Sequence, residues 1–450
     1  MSDLFLALWH VGLHEALLLL AGAIAILSLD DLLMDLMFGW LLLRGRLRRP
    51  PPASTGRPGP MAIIIPAWDE SAVIGAMLRR LTATLDYPDY HVFVGTYPND
   101  PATQAAVGAV GDARITTVIG PRPGPTTKAD CLNHLWRAVL AHEARGAMRF
   151  KAVVLHDAED LVHPQALRVM DAAIPAAQMV QLPVMPLPDS ASPFIAGHYM
   201  DEFAEAHARE LPVRAALGTT VPSAGVGCAI ERTMLGRIAA ASSGQPFDAT
   251  CLTEDYELGH KISRAGGTTR LLRVRHEGGL IATAEFFPAS FDAAVRQKAR
   301  WLTGIALAGW DRLGWHGGLA ERWMLLRDRK APLSALLTLA AYGLLALLLL
   351  DDALRRADPL AAALPPVTSG AVLTLLWLNF SLLCWRLLVR ALFTTHAYGP
   401  VEGLLALPRA LVGNVINAAA AWVALGRYLG ALRGTPLAWD KTSHRFPGVS

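Results

Sequence analysis

A short apolar run that ends in acidic residues, Ala152-Val153-Val154-Leu155-His156-Asp157-Ala158-Glu159-Asp160, decides the fold. Its first four residues have the length and the composition of a buried β-strand. Earlier in the chain, short β-rich runs alternate with segments of helical spacing: we predict strands at residues 62–65, 91–94 and 115–119, and helices at residues 73–85 and 128–140. This alternation predicts an α/β domain with a mainly parallel sheet and helices on both of its faces.

Polar residues follow several of these predicted strands. Ligands of such sheets bind beyond the carboxyl ends of the strands, which is where Glu70, Asp100 and Asp157 fall. No G-x-G-x-x-G follows the first strand, and G-x-x-x-x-G-K-[ST] does not occur in the chain. Dinucleotide and P-loop sites are therefore disfavoured.

The composition is typical of a membrane-attached enzyme. With 450 residues, of which 53% are hydrophobic, the chain has room for one sizeable soluble domain and a few membrane spans. The net charge of +3 is small, and the basic residues cluster only at Arg44, Arg46, Arg48 and Arg49, so we expect no nucleic-acid partner. The four cysteines have neither C-x-x-C spacing nor an obvious pairing, and we expect no disulfide and no zinc site.

Apolar blocks flank the α/β region. The first, Leu13 to Leu29, follows a start without Lys or Arg and precedes the basic cluster, so the positive-inside rule predicts a retained anchor with the following domain in the cytoplasm. Two later blocks, Leu333 to Leu350 and Val372 to Val389, are long enough to span. Three aspartates end the first block, and we expect them at the interface near the basic cluster rather than at membrane depth, where carboxylates are functional: Asp30, Asp31 and Asp35.

The last apolar block, Pro408 to Leu432, has two interpretations. Arg409, Asn417 and Arg427 fall within about 80° of one another at helical spacing, which is typical of a helix lying in the membrane interface. We favour this interpretation, with three spans, over a fourth span that would put basic residues of the tail outside. The predicted segments are an anchor with its basic flank (1–49), a Pro-rich linker (50–60), an α/β domain (61–285), an amphipathic interfacial segment (286–330), two transmembrane helices (331–392), and an interfacial helix with a cytoplasmic tail (393–450).

Asp157 and Glu159 are the first candidates for chemistry. They are two residues apart at the end of a strand, so both side chains can point to one side and hold the same ion. Magnesium takes one or two carboxylates and fills its other positions with phosphate oxygens and water, so this small ligand number suits a metal–nucleotide complex. The alternative is a solvated turn or a helix cap before Pro164.

A second acidic motif, Thr253-Glu254-Asp255, precedes a helical start, so its threonine and acids can serve as a helix cap. The functional alternative is that the Asp255 carboxylate removes the proton from an acceptor hydroxyl as that hydroxyl attacks a sugar carbon. A single base with direct displacement implies inversion at the anomeric carbon.

The third motif is Gln297-x-x-Arg300-Trp301, which on a helix places the glutamine and the arginine on one face with the tryptophan adjacent. An arginine can neutralise a departing diphosphate through paired hydrogen bonds, and a tryptophan face can carry a sugar ring. The alternative is an interfacial anchor helix, because aromatic residues surround the motif. Both interpretations can hold together.

Together with Ile63-Ile-Ile-Pro66-Ala-Trp68-Asp-Glu70 and Lys128-Ala-Asp130, these motifs resemble the membrane-embedded, processive branch of the family 2 inverting glycosyltransferases, over residues 60–330. The resemblance implies a GT-A fold, a nucleotide-diphosphate sugar as donor and Mg²⁺ or Mn²⁺ as cofactor. It implies these site residues: Trp68, Glu70, Asp100, Lys128 and Asp157 for the nucleotide sugar, Asp157 and Glu159 for the metal, Asp255 with Glu254 for the base motif, and Gln297, Arg300 and Trp301 for the gate and acceptor platform.

Two details of this assignment stay open. Glu159 stands where aspartate is commoner in the family, so either Glu159 or Asp160 completes the metal site. Asp100 and Lys128 also have simpler alternatives, as a turn residue and as a charge at a helix N-terminus.

A narrower likeness is to the bacteriophage adsorption protein B group of this family, through Pro98-Asn99-Asp100-Pro101, Ser223-Ala-Gly-Val-Gly227 and Trp439-Asp-Lys-Thr-Ser-His444. It implies an enzyme of the bacterial inner membrane, with a cytoplasmic catalytic domain, that uses a UDP-N-acetylhexosamine to extend and export an envelope polysaccharide. The implied partners are the nucleotide-sugar donor, a glycan or lipid-linked acceptor, membrane lipid and an outer-membrane export or receptor protein. Cyclic di-GMP would bind only a further carboxy-terminal domain, whose residues are not visible in this sequence.

Two other functions compete with polymer synthesis. One is a nonprocessive enzyme of the same fold that transfers one sugar to a lipid carrier, and the length of the product separates it from a polymerase. The other is a noncatalytic membrane scaffold of an envelope or phage-receptor complex. The presence of Asp157, Asp255 and Arg300 in one chain argues against the scaffold.

Overall fold

The computed structural model describes residues 2–47, 58–146, 148–174, 176–357, 359–363, 366–368, 370–435 and 445–448. Most of the predicted linker at 50–60, the basic residues Arg48 and Arg49, and the motif from Trp439 to His444 lie outside the described residues.

Short strands alternate with helices through the first half of the chain, as the sequence predicts. The strands are β1 (Met61–Pro66), β2 (Tyr90–Thr96), β3 (Ile115–Ile119), β4 (Ala152–Leu155), β5 (Leu161–Val162), β6 (Met179–Gln181), β7 (Val184–Pro186), β8 (Cys228–Glu231), β9 (Thr269–Leu271), β10 (Arg275–His276), β11 (Gly279–Leu280) and β12 (Thr283–Glu285). The first helices are α1 (Ser2–Leu43), α2 (Ile74–Thr84), α3 (Pro101–Gly108), α4 (Lys128–Gly146), α5 (Ala166–Ala173), α6 (Ile195–Glu205), α7 (Leu211–Ala216), α8 (Arg232–Ala241) and α9 (Glu254–Arg264).

The second half is helical. Its helices are α10 (Phe291–Leu302), α11 (Ala308–Leu313), α12 (Leu319–Arg329), α13 (Ala331–Ala357), α14 (Pro359–Ala363), α15 (Ala371–Tyr398) and α16 (Pro400–Leu432). Two single-turn π-helices interrupt the α-helical runs, π1 (Ala206–Glu210) between α6 and α7, and π2 (Thr303–Leu307) between α10 and α11.

The main sheet has seven strands in the order β3-β2-β1-β4-β8-β6-β9. Neighbouring strands from β3 to β4 are parallel, β8 runs antiparallel to β4 and β6, and β6 is parallel to β9. This sheet confirms the predicted mainly parallel α/β architecture.

The central strand β1 explains why the sheet is covered on both faces. Every side chain from Met61 to Ile65 is fully buried. Alternate side chains point to opposite faces, so Ile63 packs in one cluster with α2 and α5, and Ile64 packs in another with α4 and α8. A strand covered on both faces is apolar at every position.

A second, three-stranded sheet joins distant parts of the sequence in the order β5-β12-β7. Ala284 of β12 pairs antiparallel with Leu161 of β5, and Glu285 pairs with Pro186 of β7. Because β5 begins directly after Asp160, this sheet brings Glu285 to the acidic motif at the end of β4.

In the part of the chain that the structure describes, four helices are long and apolar enough to cross a membrane, judged by length and composition: α1, α13, α15 and α16. The first three contain the predicted spans and extend beyond both ends of each. Leu13 and Leu17 of α1 pack against Leu344 of α13 and Val372 of α15, so these three helices form one bundle.

Among the described residues, the ion pairs of the aspartates of α1 are with other helices rather than with Arg44 or Arg46. Asp30 lies 2.5 Å from both Arg327 and Lys330, and it accepts a hydrogen bond from Trp323 at 2.6 Å. Asp35 pairs with Arg209 of π1. Ion pairs therefore attach α1 to α12, to Lys330 directly after it, and to π1, and the interfacial position of these aspartates stays a prediction.

Two residues of the polar stripe of α16 contact α6, and whether α16 spans the membrane or lies in its interface stays a prediction. Arg409 is 2% exposed, and it contacts Asp201 of α6 at 3.4 Å and Glu402 at 2.5 Å. Asn417 donates a hydrogen bond to Glu202 at 3.2 Å. The stripe faces α6, so it is no evidence for a helix lying in the membrane interface. The segment boundaries and the disposition of 286–330 at a membrane surface stay predictions.

Candidate active site

A cavity of about 370 Å³ opens at the carboxyl ends of β1 and β4. It is bounded by the starts of α4 and α9, by π1 and by α10. Every predicted site residue except Asp100 lines it: Trp68, Glu70, Lys128, Asp157, Glu159, Glu254, Asp255, Gln297, Arg300 and Trp301. The fold therefore brings together three motifs that are far apart in sequence.

Trp68 and Glu70 lie on the loop after β1. The ring of Trp68 makes an edge contact with Tyr97, with the centroids 5.1 Å apart. Gly124 packs so closely on the same ring that a Cβ there would lie 2.5 Å from it. The backbone N–H of Glu70 donates to Thr103 Oγ1 at 3.0 Å. These contacts fix the Trp68 ring and the backbone that carries Glu70 at the cavity wall.

Asp100 is not among the residues that line the cavity, and its predicted place at the nucleotide sugar stays a prediction. Its Oδ2 accepts a hydrogen bond from the backbone N–H of Asp69 at 2.6 Å, and its Oδ1 accepts one from that of Thr103 at 3.2 Å. Asp100 is thus the N-cap of α3 and a brace for the loop after β1. A residue just beyond a strand end is as well placed to hold the turn as to bind a ligand.

Lys128, at the start of α4, makes an ion pair with Asp157. Its Nζ lies 2.6 Å from Asp157 Oδ1 and 2.8 Å from Oδ2. Burial by itself would lower the pKa of Lys128, but the carboxylates of Asp157, Glu254 and Asp255 raise that pKa above its ordinary value. The lysine therefore stays charged at the centre of an acidic cavity.

The structure distinguishes between Glu159 and Asp160, the two candidates for completing a metal site. Glu159 lines the cavity, whereas Asp160 is fully buried away from it. One oxygen of Asp160 lies 2.6 Å from His156 Nδ1 and accepts a hydrogen bond from the backbone N–H of Asp157 at 3.2 Å. Asp160 therefore holds the turn after β4, and Glu159 lines the cavity.

The motif Thr253-Glu254-Asp255 begins α9, but its threonine does not cap the helix. Thr253 occupies the N-cap position without a side-chain hydrogen bond to the helix. Burial raises the pKa of Asp255, and burial together with the Asp255 carboxylate raises the pKa of Glu254 to about 7. The two acids form a closely coupled pair beside Lys128, and proton exchange near neutral pH is the chemistry such a pair supports.

Two glycines let the surrounding backbone approach this motif. A Cβ at Gly225 would lie 2.5 Å from Asp255 Oδ2, and Gly225 has a φ of +78°. A Cβ at Gly304, in π2, would lie 2.6 Å from the Thr253 side chain. The base motif is thus enclosed by the small-residue run at 223–227 on one side and by π2 on the other.

The motif Gln297-x-x-Arg300-Trp301 lies on α10, and all three residues line the cavity. The Trp301 ring is held among aromatic rings, with centroid distances of 6.1 Å to Tyr199 and 6.4 Å to Phe287. Arg300 is close enough to Asp255 to lower the pKa of that carboxyl, although burial outweighs this effect. The helix therefore closes the cavity with a cation and an aromatic ring opposite the base.

Sequence reasoning missed several residues of the cavity wall. Glu285 lies on β12, where burial and then the carboxylates of Asp160, Glu159 and Asp157 raise its pKa well above the ordinary value. His207 and Glu210 lie on π1, a type of helical turn that is frequent at functional sites. Only the pairing of β12 with β5 brings Glu285 here, and no local pattern indicates that pairing.

The carboxylates of the cavity fit a hard divalent cation. Asp157, Glu159 and Glu285 supply oxygen donors from neighbouring strand ends, and burial together with the nearby carboxylates raises the pKa of Glu285. Oxygen donors suit Mg²⁺ or Mn²⁺, and repulsion among them is the expected state of such a site without its cation. The residues thus fit the metal that the family resemblance implies.

Comparison with known proteins identifies the family. The model of the family described as Glycosyltransferase like family 2 matches residues 58–304. Over 479 aligned residues the chain is 38% identical to Bacteriophage adsorption protein B of Escherichia coli K12 and to Bacteriophage N4 adsorption protein B of Escherichia coli O157:H7. All of the chain is covered, and it spans 64% of the length of each relative.

Among solved structures, the chain is similar to the mannosyltransferase PcManGT from Pyrobaculum calidifontis, in complex with GDP-Man and Mn²⁺. The TM-score is 0.53 at 19% identity, and the match covers 87% of this chain and 99% of the other. This likeness shows a GT-A fold. Since the family match covers more than half of the chain, the protein belongs to the glycosyltransferase family 2.

Proposed function

We propose that this chain is an inverting, metal-dependent glycosyltransferase of the bacterial inner membrane that uses a nucleotide-diphosphate sugar. The observation that carries the proposal is the convergence of Asp255, Lys128 and Arg300 on one cavity with the carboxylates of Asp157 and Glu159. A base, two cations and a metal-binding set are the groups that sugar transfer from such a donor requires.

The residues have distinct roles in this mechanism. Asp255 accepts the proton of the acceptor hydroxyl as that oxygen attacks the anomeric carbon, and the bond from this carbon to the diphosphate breaks on the opposite face. Lys128 and Arg300 offset the charge that develops on the leaving diphosphate. Asp157, Glu159 and Glu285 would hold the cation, which supplies further neutralisation of the diphosphate oxygens. Direct displacement inverts the anomeric configuration.

Trp68, Glu70 and Trp301 complete the donor and acceptor sides. The Trp68 ring and the Glu70 carboxylate suit the nucleoside, because an aromatic face and a hydrogen-bond acceptor recognise a base and a ribose. Trp301 and Gln297 lie on the wall that faces Phe203 and Phe287, where an aromatic surface suits the acceptor sugar.

The membrane helices favour a polymer as the product. α16 packs directly on α10, with Ala420 and Ala424 against Ala299, so the cavity wall is continuous with a helix long enough to span. A growing glycan at Trp301 would therefore lie beside the membrane helices. With Arg44 and Arg46 after α1, the positive-inside rule puts the catalytic domain in the cytoplasm. From the family resemblance, we extend this proposal to a UDP-N-acetylhexosamine as the donor and to an outer-membrane export protein as a partner.

The test is release of nucleoside diphosphate by the full chain in lipid discs, across UDP- and GDP-sugars with Mg²⁺ or Mn²⁺. We expect release from one donor class, a loss of about 100-fold or more in Asp255→Asn, and normal release in Asp292→Asn, an exposed aspartate of α10. Gel analysis of the product separates a polymer from a single lipid-linked sugar. Folded protein that releases nothing from any donor, or an Asp255→Asn variant with full activity, contradicts the proposal and favours a scaffold.

A further inference from the structure

A histidine buried behind the base motif has no hydrogen-bond partner among the residues that the structure describes. His260 lies on α9, five residues after Asp255, and its side chain is 1% exposed. Neither ring nitrogen makes a hydrogen bond. A buried polar group without a hydrogen bond is destabilising, so an arrangement of this kind needs a cause.

Two other metal-ligating side chains face His260. His260 Nδ1 lies 3.5 Å from Glu321 Oε1, and its ring centroid lies 5.2 Å from that of His316. One ligand atom from each of the three residues lies within 4.8 Å of the others. Oε1 of Glu321 and Nε2 of His316 also lack hydrogen-bond partners in the described part of the chain. Three donor atoms thus converge on one point, where the 3.5 Å contact between His260 and Glu321 is their closest approach to one another that the structure gives.

The loop that carries His316 is built to approach Glu321. Gly314 and Gly317 have positive φ values of +54° and +70°, and a Cβ at Gly317 would lie 2.7 Å from the Glu321 side chain. The other oxygen of Glu321 accepts a hydrogen bond from the backbone N–H of Thr220 at 2.8 Å, which fixes this carboxylate. The donors therefore come from three separate elements, α9, the loop at 314–318 and α12.

We propose that His260, His316 and Glu321 bind a zinc ion, which fastens the loop between α11 and α12 to the helix that begins with the base motif. Two imidazoles and one carboxylate are a known zinc ligand set, with water in the fourth position. Zinc bonds of about 2.0–2.1 Å require ligand atoms about 3.3 Å apart, so the half-buried His316 moves by about 1 Å on binding. The ion satisfies the buried nitrogen of His260 and joins the GT-A core to the segment that carries Arg300.

Two arginines border the site and oppose a cation there. Arg264 donates to the carbonyl oxygen of Leu313, and Arg329 donates to that of Gly314 at 2.6 Å and lies over the rings of Trp310 and Trp315. Both guanidinium groups are thus engaged in holding the same loop. Their positive charge weakens the affinity for zinc, but their hydrogen bonds are to backbone carbonyl oxygens and not to the three donor atoms.

This site is separate from the carboxylates of the cavity, because none of its three residues lines that cavity. Its donors also differ in kind: imidazole nitrogens prefer zinc, whereas the oxygen set of Asp157 and Glu159 prefers Mg²⁺ or Mn²⁺. Zinc binding measured in excess Mg²⁺ therefore reports this site. The prediction of no zinc site rests on the cysteine spacing alone, which gives no information about a site of two histidines and a glutamate.

The test is zinc titration of the metal-stripped full chain in detergent, in excess Mg²⁺, followed by calorimetry and by the visible absorption of Co²⁺ in place of zinc. We expect one ion per chain, and affinity at least tenfold weaker in His316→Ala and in Glu321→Gln. Glu321→Gln keeps an acceptor for Thr220, so it tests ligation rather than folding.

Two controls locate the ion. His276→Ala removes an exposed histidine, and Asp157→Asn removes a cavity carboxylate; both should bind zinc as the unaltered protein does. Zinc should also raise the melting temperature of the unaltered protein and not that of Glu321→Gln. Absence of stoichiometric zinc in the unaltered protein, or zinc lost in Asp157→Asn and kept in Glu321→Gln, overturns the proposal.

Discussion

Gly225 lies against the carboxylate of Asp255, so that a Cβ at position 225 would be 2.5 Å from Asp255 Oδ2. Real Cβ atoms do not approach an oxygen so closely, and the backbone of Gly225 also has a positive φ of +78°. Asp255, the candidate base, can therefore occupy its position only because residue 225 has no side chain. Gly218 has a similar φ of +71°, but nothing lies within 4 Å of its Cβ position.

These two glycines form a matched pair for mutation. Gly225→Ala should lower transfer activity by about 100-fold, because displacing a catalytic group by about 1 Å has an effect of this size. Gly218→Ala should keep its activity. Both variants should lose a similar amount of stability, about 1 kcal/mol, since each forces an alanine into the left-handed region. Nucleoside diphosphate release and melting temperature check this, and equal activity in the two variants would contradict the role of Gly225.

The coupled acids of α9 predict a pH dependence of stability. The ordinary pKa of a glutamate is 4.5 and that of Glu254 in the folded chain is about 7, so between these values the folded protein holds a proton that the unfolded chain releases. The contribution of Glu254 to stability is therefore most favourable below pH 4.5 and decreases as the pH rises towards 7. Glu254→Gln removes this dependence.

The measurement is the melting temperature of both proteins, without divalent metal, from pH 5 to 8. Glu254→Gln should gain stability relative to the unaltered protein as the pH rises, and a difference that does not change with pH would refute the assignment. In the active enzyme, kcat/KM should fall as the pH drops below about 7, because the base must be ionised and the pair titrates as a unit.

Most of the site could be predicted because its signals are local. The run at 152–155 is apolar at each position, so the strand and the acidic residues after it follow from a few neighbouring letters. The same holds for Glu254 and Asp255 at a helix start and for Gln297 and Arg300 on one helix face. The strand order then places these segments at one edge of the sheet.

What the sequence missed or left open has physical reasons. Glu285 depends on the pairing of β12 with β5, which joins residues more than a hundred positions apart. Asp100 follows a strand, and that position serves equally for a cap. On α16, a polar stripe looks the same whether it faces the membrane interface or the acids of another helix, here Asp201 and Glu202 of α6.

Replacing Lys128 should change the affinities for metal and for nucleotide in opposite directions. Its ion pair competes with a cation for Asp157, so Lys128→Met should bind Mn²⁺ alone about tenfold more tightly. The same variant should bind UDP or GDP with Mn²⁺ about tenfold more weakly, because a charge beside the diphosphate is lost. Calorimetry measures both. Lys151→Met breaks a Lys–Asp pair of the same 2.6 Å length outside the cavity and should change neither affinity; parallel shifts in Lys128→Met would exclude the competition.

We expect Glu285 to release a proton when a metal ion binds. Burial and the neighbouring carboxylates raise its pKa well above the ordinary value, so it binds its proton more tightly than an ordinary glutamate does, and a cation that binds the carboxylate would displace that proton. Titration of Mn²⁺ in buffers of different ionisation enthalpy should show fewer protons released by Glu285→Gln, together with about tenfold weaker binding. Glu277→Gln, with a side chain 86% exposed, is the control. Equal proton release in Glu285→Gln and the control would show that Glu285 does not ligate the ion.

We expect the buried ion pairs of Arg409 to attach α16 to the GT-A core. Arg409 lies fully buried between Asp201 and Glu402, and its Nε donates to the carbonyl oxygen of Pro193 at 2.6 Å. Arg409→Leu leaves the Asp201 carboxylate buried without its main cation, which should destabilise the fold by about 3 kcal/mol. Burial already raises the pKa of Asp201 to about 6, and losing the arginine raises that pKa further.

The destabilisation by Arg409→Leu should therefore be larger at pH 8 than at pH 6, because protonation of Asp201 relieves the unpaired charge at the lower pH. Adding Asp201→Asn should restore part of the loss at pH 8, since the amide carries no charge. Melting temperatures in one detergent check both points, with Arg433→Leu at the exposed end of α16 as the control. If Arg409→Leu melts as Arg433→Leu does at both pH values, the polar stripe does not hold α16 to α6, and the apolar contacts of α16 with α10 and α15 must do so.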